Sequence, residues 1–263
     1  MTTPDQTTAL TLLRAKQAQR KTSWLTAYDA HSAAIAEAAG IDVLLVGDSL
    51  GMVALGYDST LPVTLEQMIH HTAAVVRGRQ RAWVVCDLPF GSYQASPEQA
   101  LTNSVRVLQE SGCDAVKLEG GEAMAATIQF LAERGIAVVA HIGLTPQSIK
   151  QFGSYGKRGN NDAERAQLLR DAAAVEQAGA VAVVLENIPA DLATAITEQC
   201  AIPTVGIGAS VACDAQVLVW HDLLGLNAHN PPFAPAYVQL REQMIEGIRR
   251  WDHDVKAGDF PQS

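Results

Sequence analysis

The chain has no long hydrophobic run, no closely spaced cysteine pair and no excess of positive charge. None of its apolar stretches approaches the roughly 18–20 residues of a membrane-spanning helix, and Leu10–Leu13 is too short for the core of a signal peptide. The cysteines Cys86, Cys113, Cys200 and Cys213 form no Cys-x-x-Cys pair, which indicates reduced core cysteines in a cytoplasmic protein. The formal net charge of −9 argues against nucleic acid or an anionic membrane as the main partner.

The sequence also lacks an internal linker. No Gly/Pro/Ser-rich stretch and no block of like charges divides the 263 residues, and 48% of them are hydrophobic. This length and composition are typical of one large hydrophobic core. We therefore expect a single domain over residues 1–263, with a polar helical extension at the N-terminus.

Short apolar runs that end in a charged residue recur along the chain. The clearest are residues 44–48, 83–87, 114–119 and 181–186, which end in Asp48, Asp87, Glu119 and Glu186. Such a run is typical of a buried parallel strand that delivers one polar side chain to the mouth of a sheet. Strands alternate with helices throughout, which predicts an α/β fold, a (β/α)8 TIM barrel. An open doubly wound sheet is the second choice, and no Gly-x-Gly-x-x-Gly follows the first strand to support it.

Local signals give approximate positions for the helices and strands. Asp29, Thr64 and Ser96 are predicted helix N-caps, and Pro97 suits a first helical position. The eight strands are predicted at residues 22–27, 44–48, 83–87, 115–118, 136–141, 181–186, 203–207 and 217–220. The last helix is predicted at about residues 234–255.

Asp48 and Asp87 end neighbouring predicted strands, so their carboxylates can converge at the rim of a barrel. A small set of oxygen ligands, without a His pair or a Cys cluster, suits Mg²⁺ better than zinc. Asp is also a common turn and cap residue, so a capping role stays open for each at this point. The pairs His70–His71 and His221–Asp222 are expected to be structural, because they lack ligand-like spacing with the acidic set.

Lys117 and Glu119 share one face of the fourth strand, because side chains alternate along a strand. They predict either a structural ion pair or a site in which Lys117 binds an anionic substrate group and Glu119 lies near the metal. Glu186 closes the most apolar run and predicts a general base; the alternative is a carboxylate at the start of a helix near Pro189. His141 ends the fifth strand, and its direct role is left open.

Seven segments in register resemble the ketopantoate hydroxymethyltransferase family. They are Thr26–Asp29, Val46–Met52, Gly56–Thr64, His71–Val75, Asp87–Phe90, Val116–Gly121 and His141–Ser148. Each segment is short, but together they run in order within a resemblance that extends from about residue 8 to about residue 250. The set is therefore far more specific than any one of its members.

The resemblance implies a (β/α)8 barrel that uses Mg²⁺ and takes a one-carbon unit from 5,10-methylenetetrahydrofolate. The implied reaction converts 3-methyl-2-oxobutanoate into 2-dehydropantoate, the first committed step of pantothenate biosynthesis. By position, Asp48, Asp87 and Glu119 match the family's metal ligands, Asp48, Ser49, Asp87 and Lys117 its oxo-acid contacts, and Glu186 its general base. The family forms a decamer of two pentameric rings, so the resemblance also implies a homo-oligomer.

Three positions in the last third depart from the family pattern. Ser210 and Ala215 stand where the family has glycine, and Pro232 replaces a lysine. A Cβ would strain the backbone wherever the glycine has positive φ. The alternative function is therefore a catalytically weakened paralogue or an oxo-acid-binding scaffold. A barrel of the phosphoenolpyruvate/isocitrate lyase type is less favoured, because no Lys-Lys-Cys-Gly-His-type loop is present.

The segment Ile149–Asn161 follows the fifth strand and is rich in glycine and positive charge. Lys150, Lys157 and Arg158 predict either a lid, or a basic contact for the glutamate tail of the folate. A solvated connector is the alternative interpretation, since long Gly-rich loops can be either functional or merely mobile.

Overall fold

The computed structural model describes residues 6–261 and contains a closed barrel of eight parallel strands, each paired with the next along the chain. The strands are β1 (Thr22–Thr26), β2 (Val43–Val46), β3 (Trp83–Asp87), β4 (Ala115–Glu119), β5 (Val138–Gly143), β6 (Ala182–Glu186), β7 (Thr204–Ile207) and β8 (Ala215–Leu218). The predicted (β/α)8 TIM barrel is confirmed.

Helices occupy most of the connections between strands. They are α1 (Ala9–Gln17), α2 (Ala30–Ala38), α3 (Leu50–Val53), α4 (Leu65–Gly78), α5 (Pro97–Ser111), α6 (Ala125–Ala132), α7 (Ile149–Phe152), α8 (Asp162–Gln177), α9 (Ala190–Gln199), α10 (Trp220–Leu223) and α11 (Leu240–Ala257). Short 3₁₀ turns lie at Glu122–Met124 and Pro146–Ser148.

The interior of the barrel is filled by alternate residues of the strands. Leu45 lies opposite Val85, and Val85 lies opposite Ala115, so that inward side chains of successive strands form one packed cluster. Full burial of a Val or Leu side chain stabilises the fold by about 1.5–3 kcal/mol. Leu12 of α1 joins this cluster. The backbone N–H of Thr7 bonds Arg81 O, just before β3, so this helix packs at the end of the barrel where the strands begin.

Three helices begin at the residues that the sequence predicts. The side chains of Asp29, Thr64 and Ser96 each accept a hydrogen bond from the backbone N–H three residues later, at the starts of α2, α4 and α5. Such caps satisfy N–H groups that the helix itself leaves unpaired. The caps fix where each connection ends and thus how far the preceding loop extends over the rim.

Two predicted boundaries near the C-terminus are wrong. Strand β8 begins at Ala215, two residues earlier than predicted, because it includes Gln216, whose exposed side chain interrupts the apolar run. Helix α11 begins at Leu240 instead of Ala234. The prolines at 231, 232 and 235 contribute to the late start, since proline disfavours helical backbone angles at the residue before it.

The described residues up to Val217 form one compact unit, and those from Leu218 form another. The first unit contains every candidate site residue named above, whereas the second contains α10, α11 and the segment between them. The expectation of one domain over residues 1–263 stays a prediction.

All four cysteines are free and buried, and no helix in the described part of the chain has both the length and the apolar character to cross a membrane.

Replacing Gly143 with Ala should destabilise the protein more than replacing Gly40 with Ala. Both glycines have positive φ (+96° and +92°), so each substitution carries a backbone cost of about 1–2 kcal/mol. Only at Gly143 would the new Cβ overlap the backbone oxygen of Glu186 and lie 2.8 Å from Ile188, which adds about 1–3 kcal/mol. Urea unfolding of both variants measures the difference, and equal losses would contradict the close packing of β5 against β6.

Candidate active site

Charged side chains from four neighbouring strands meet at the C-terminal mouth of the barrel. Parallel pairing sets Asp87 beside Lys117, Glu119 beside His141, and Gly143 beside Glu186, so the ends of β3 to β6 lie at one rim. Asp48 follows β2 by two residues and reaches the same place. The set is Asp48, Asp87, Lys117, Glu119, His141 and Glu186. In a TIM barrel this face carries the catalytic residues.

Asp48, Asp87 and Lys117 form one buried part of the set. The backbone N–H of Asp48 donates to Asp87 Oδ2 over 3.1 Å, and Lys117 Nζ lies 3.1 Å from Asp87 Oδ1. The convergence of the two aspartates, expected from their strands, is therefore present. The sequence offered, as one alternative, a structural ion pair between Lys117 and Glu119. In the structure Lys117 pairs with Asp87 instead.

His141 connects the remaining carboxylates. Its Nδ1 lies 3.2 Å from Lys117 Nζ and 3.5 Å from Glu119 Oε1, and its Nε2 lies 3.2 Å from Glu186 Oε2. His141 is buried, whereas the side chain of Glu186 keeps 17% of its surface exposed. Glu186 is thus the carboxylate of this set with the best access to a small molecule in the mouth.

Burial and like charge act strongly on the ionisation of this cluster. Burial, together with repulsion from Asp87 and Glu119, raises the pKa of Asp48 well above its ordinary value. Burial also raises the pKa of Asp87, although Lys117 opposes it. Burial lowers the pKa of Lys117, but the carboxylates around it outweigh burial and raise that pKa. Burial and Lys117 lower the pKa of His141, yet Glu119 and Glu186 raise it overall to about 9.

Gln147 lies in the 3₁₀ turn after β5 and joins several parts of the site. Its Nε2 donates to Asp48 Oδ2 over 2.8 Å and to Leu88 O over 2.9 Å, and its backbone N–H donates to Glu119 Oε2 over 2.9 Å. The Tyr93 hydroxyl lies 2.7 Å from Gln147 Oε1 and accepts from the Glu119 N–H over 3.1 Å. The sequence analysis did not predict a role for Gln147 or Tyr93.

Ser49 lies at the edge of the same cluster, directly after Asp48. Its Oγ lies 3.0 Å from the hydroxyl of Tyr28, and the residue is only partly buried. The predicted contact of Ser49 with substrate is therefore compatible with its position. His71, by contrast, bonds the backbone oxygen of Tyr28 through Nδ1 over 2.7 Å, which fits the structural role expected for it.

The two glycine replacements cause no backbone strain. Among the described non-glycine residues, positive φ occurs only at Gln19 and Asn187, so the strain considered for Ser210 and Ala215 is not present. Ser210 Oγ lies 3.0 Å from Thr194 Oγ1 and accepts from the Ala212 N–H over 3.1 Å. Ala215 belongs to the buried cluster inside the barrel. Both Cβ atoms are therefore accommodated.

The segment Ile149–Asn161 begins with helix α7, and one of its positively charged residues, Arg158, forms an ion pair. Arg158 lies 3.1 Å from Glu164 and stacks on Phe152 at 4.3 Å. A cavity of about 550 Å³ lies beside this segment. Its lining includes Gly120, Gly121, Ile142, Gly143, Phe152 and Asp171. Gly120 and Ile142 directly follow Glu119 and His141 in sequence, but no residue of the charged cluster lines the cavity.

The residues in the mouth fit a hard divalent cation held by few protein atoms. Asp87 Oδ1 is buried and, despite its proximity to Lys117, makes no hydrogen bond of acceptable geometry. Asp48 and Asp87 offer the oxygen donors that Mg²⁺ prefers, and Mg²⁺ is usually held by only one or two carboxylates. Within residues 6–261 no three His, Cys, Asp or Glu residues are grouped so that they could hold a metal ion together.

The sequence comparisons identify the family. A family model described as ketopantoate hydroxymethyltransferase matches residues 6–263. The chain belongs to the ketopantoate hydroxymethyltransferase family. Among its curated relatives are proteins named 3-methyl-2-oxobutanoate hydroxymethyltransferase from Synechocystis sp. (54% identity, covering 95% of this chain and 96% of the relative) and Thermoanaerobacter sp. (49% identity, 98% and 94%). Membership of this family makes the chain an enzyme of the hydroxymethyltransferase class.

Solved structures of more distant proteins share the fold. A phosphonopyruvate hydrolase in complex with oxalate and Mg²⁺ is 13% identical, with a TM-score of 0.61 over 95% of this chain and 87% of the other. A 2,3-dimethylmalate lyase is 16% identical, with a TM-score of 0.59 over 97% and 89%. At such low identity these similarities establish the barrel architecture alone.

Proposed function

We propose that the protein transfers a hydroxymethyl group from 5,10-methylenetetrahydrofolate to 3-methyl-2-oxobutanoate, giving 2-dehydropantoate for pantothenate biosynthesis. The observation that carries this proposal is the joint presence, at one barrel mouth, of Asp48, Asp87, Lys117, Glu119 and Glu186 in a chain of this family. The intact cluster and the absence of strain at Ser210 and Ala215 favour an active enzyme over a weakened paralogue or a scaffold.

The oxo acid binds, in this proposal, against Asp48, Ser49, Asp87 and Lys117. Asp48 and Asp87 would hold Mg²⁺ directly. Glu119 would support the metal from further out, because one of its oxygens accepts from Gln147 and the other faces His141. When bound, Mg²⁺ acts as a Lewis acid toward the keto group. The ammonium of Lys117 offsets the negative charge of the substrate carboxylate.

Glu186 acts as the general base. It accepts the proton from C3 of the oxo acid, and the electron pair left at C3 forms the new bond to the methylene carbon as one of the two bonds from that carbon to the folate nitrogens breaks. The nitrogen released in this step gains the proton that C3 lost. Water then displaces the second folate nitrogen from that carbon: its oxygen becomes the hydroxyl group, and one of its protons goes to the nitrogen. Glu186 Oε2 lies 3.2 Å from His141 Nε2, and in this proposal the other oxygen faces the substrate.

The first half of this reaction can be tested without folate. Purified protein with Mg²⁺ should exchange the C3 hydrogen of 3-methyl-2-oxobutanoate for deuterium in heavy water, followed by proton NMR. A sample treated with a chelator is the control. Exchange without hydroxymethyl transfer on addition of the folate would restrict the proposal to the oxo-acid half, and lack of any exchange would count against the proposal as a whole.

Mg²⁺ binding should weaken as the pH falls. Burial and neighbouring carboxylates raise the pKa of Asp48, and burial raises that of Asp87, so protons compete with the cation for these oxygens at higher pH than for exposed aspartates. At pH values below the raised pKa values of these two aspartates, the affinity for Mg²⁺ should fall about tenfold per pH unit for each proton that the ion must displace. At pH values above them, the affinity should level off. Calorimetric titration from weakly acidic to weakly alkaline pH measures this dependence. A flat profile would contradict it.

We propose that the second substrate binds in the 550 Å³ cavity beside Gly120 and Gly143. A ligand there would lie beside Gly120 and Ile142, which directly follow Glu119 and His141 in the chain. We also propose a cytoplasmic homo-oligomer, a decamer by family resemblance. The four free cysteines support an intracellular setting.

A further inference from the structure

We infer that Gln147 is a positioning residue that holds the Asp48 carboxylate in place for a divalent cation. This inference rests on the proposed function, because it assigns the cation to Asp48 and Asp87. Gln147 lies far from Asp48 in sequence, and its side chain is 5% exposed. What distinguishes Gln147 is that each of its side-chain polar atoms has two hydrogen-bond partners.

The partners of Gln147 fix the orientation of its amide. Nε2 carries two hydrogens and faces two acceptors, Asp48 Oδ2 at 2.8 Å and Leu88 O at 2.9 Å. Oε1 faces two donors, the Tyr93 hydroxyl at 2.7 Å and Gln94 Nε2 at 3.1 Å. A flipped amide would set an oxygen against two other oxygens, so only one orientation satisfies all four contacts.

This geometry holds a carboxylate without neutralising it. A lysine or arginine in the same place would cancel the charge of Asp48, whereas a neutral amide fixes Oδ2 and leaves the negative charge available to a cation at Oδ1. Hydrogen bonds to ligating carboxylates commonly contribute 10–100-fold to metal affinity or activity. The backbone N–H of Gln147 donates to Glu119 Oε2 over 2.9 Å. The same turn therefore contacts two of the three residues predicted as metal ligands, Asp48 and Glu119.

The Tyr93 hydroxyl extends this positioning to β4. It lies against Gln147 Oε1 and accepts from the backbone N–H of Glu119 over 3.1 Å. Tyr93 is 1% exposed, so its hydroxyl has no access to bulk water as an alternative partner. A rigid connection thus runs from Asp48 through Gln147 and Tyr93 to the end of β4, where Glu119 lies.

The test measures metal binding in the absence of both substrates. Mn²⁺ serves as the probe, because the EPR signal of the free ion reports how much remains unbound. Gln147→Met keeps the approximate volume but removes the amide, and we expect it to weaken Mn²⁺ binding about 10–100-fold. Gln129→Met is the matched control, since exposed Gln129 lies on α6 and donates to Glu133, away from Gln147 and its partners; the Mn²⁺ affinity of this variant should stay within about twofold of wild type.

A second variant keeps the test decisive if Gln147→Met does not fold. Tyr93→Phe removes only the hydroxyl that restrains Gln147 Oε1, and it should weaken Mn²⁺ binding by a smaller factor. The kinetic readout is the split between kcat and KM: for Gln147→Met, kcat should fall and the Mg²⁺ concentration for half-maximal rate should rise, while KM for the folate stays unchanged.

The outcomes separate this inference from the proposed function. If the wild type is active, and both Gln147→Met and Tyr93→Phe bind Mn²⁺ as tightly as the wild type, the role of Gln147 is overturned. The proposed function would still stand. A wild type that binds no Mn²⁺ would overturn both. A wild type that binds Mn²⁺ but neither exchanges nor transfers would refute the proposed reaction, while weaker Mn²⁺ binding in the variants would still support the positioning role.

Discussion

Replacing Glu186 with Gln should lower both deuterium exchange at C3 and hydroxymethyl transfer by about 10²–10⁴-fold, the usual range for loss of a general base. The amide has almost the shape of the carboxylate, and its oxygen can still contact His141 Nε2, now 3.2 Å from Glu186 Oε2. What is lost is the ability to accept a proton. NMR exchange and a coupled transfer assay, each at saturating Mg²⁺ and oxo acid, measure the loss.

The matched control is Glu198→Gln, on helix α9, which follows the same strand. Glu198 is exposed, so its amide variant should exchange and transfer at the wild-type rate. Equal thermal unfolding of both variants would show that the effect at Glu186 is chemical and not structural. If Glu186→Gln exchanged at the wild-type rate, the proton would have to leave to another group, and Glu186 would lose its assigned role.

The barrel could be predicted from sequence because its strands are buried on both faces. Runs such as Val43–Val46 and Trp83–Asp87 leave no residue of the strand exposed, which gives a clear hydrophobic signal. The last strand has a weaker signal, since Gln216 points to solvent within β8, and the start of α11 depends on prolines instead of apolar periodicity. These two errors lie where burial is incomplete, whereas the buried strand β5 was also displaced by two residues in the prediction.

The candidate site was predictable only in part, for a related reason. Asp48, Asp87 and Glu186 stand at or just after the ends of apolar runs, where a charge is conspicuous. Gln147 is neutral, lies in a turn, and meets its partners through contacts that span 28–99 residues. No local pattern reveals such a residue. The role of His141 was left open because a lone histidine after a strand is common, whereas its three charged neighbours come from β4 and β6.

Replacing Lys117 with Met should destabilise the metal-free protein by about 3–5 kcal/mol, the usual cost of removing one partner of a buried ion pair. Lys117 and Asp87 have side chains that are 6% and 4% exposed, 3.1 Å apart. Without the ammonium, Asp87 keeps a buried charge that only weaker partners offset. Urea unfolding in metal-free buffer measures the loss. Arg79→Met is the matched control: it breaks a 2.8 Å pair with the more exposed Asp114 and should cost clearly less.

The double variant Lys117→Met with Asp87→Asn separates stability from function. Removing both charges relieves the unpaired carboxylate, so the double variant should be more stable than Lys117→Met alone, and the coupling energy follows from the cycle. Activity should not return, because the double variant lacks both the cation for the substrate carboxylate and an oxygen donor for Mg²⁺. Restored stability with no activity would assign the Lys117–Asp87 pair to catalysis as well as to folding. A double variant no more stable than the single one would mean that Asp87 tolerates its buried charge through other contacts, and the pair would lose its assigned structural importance.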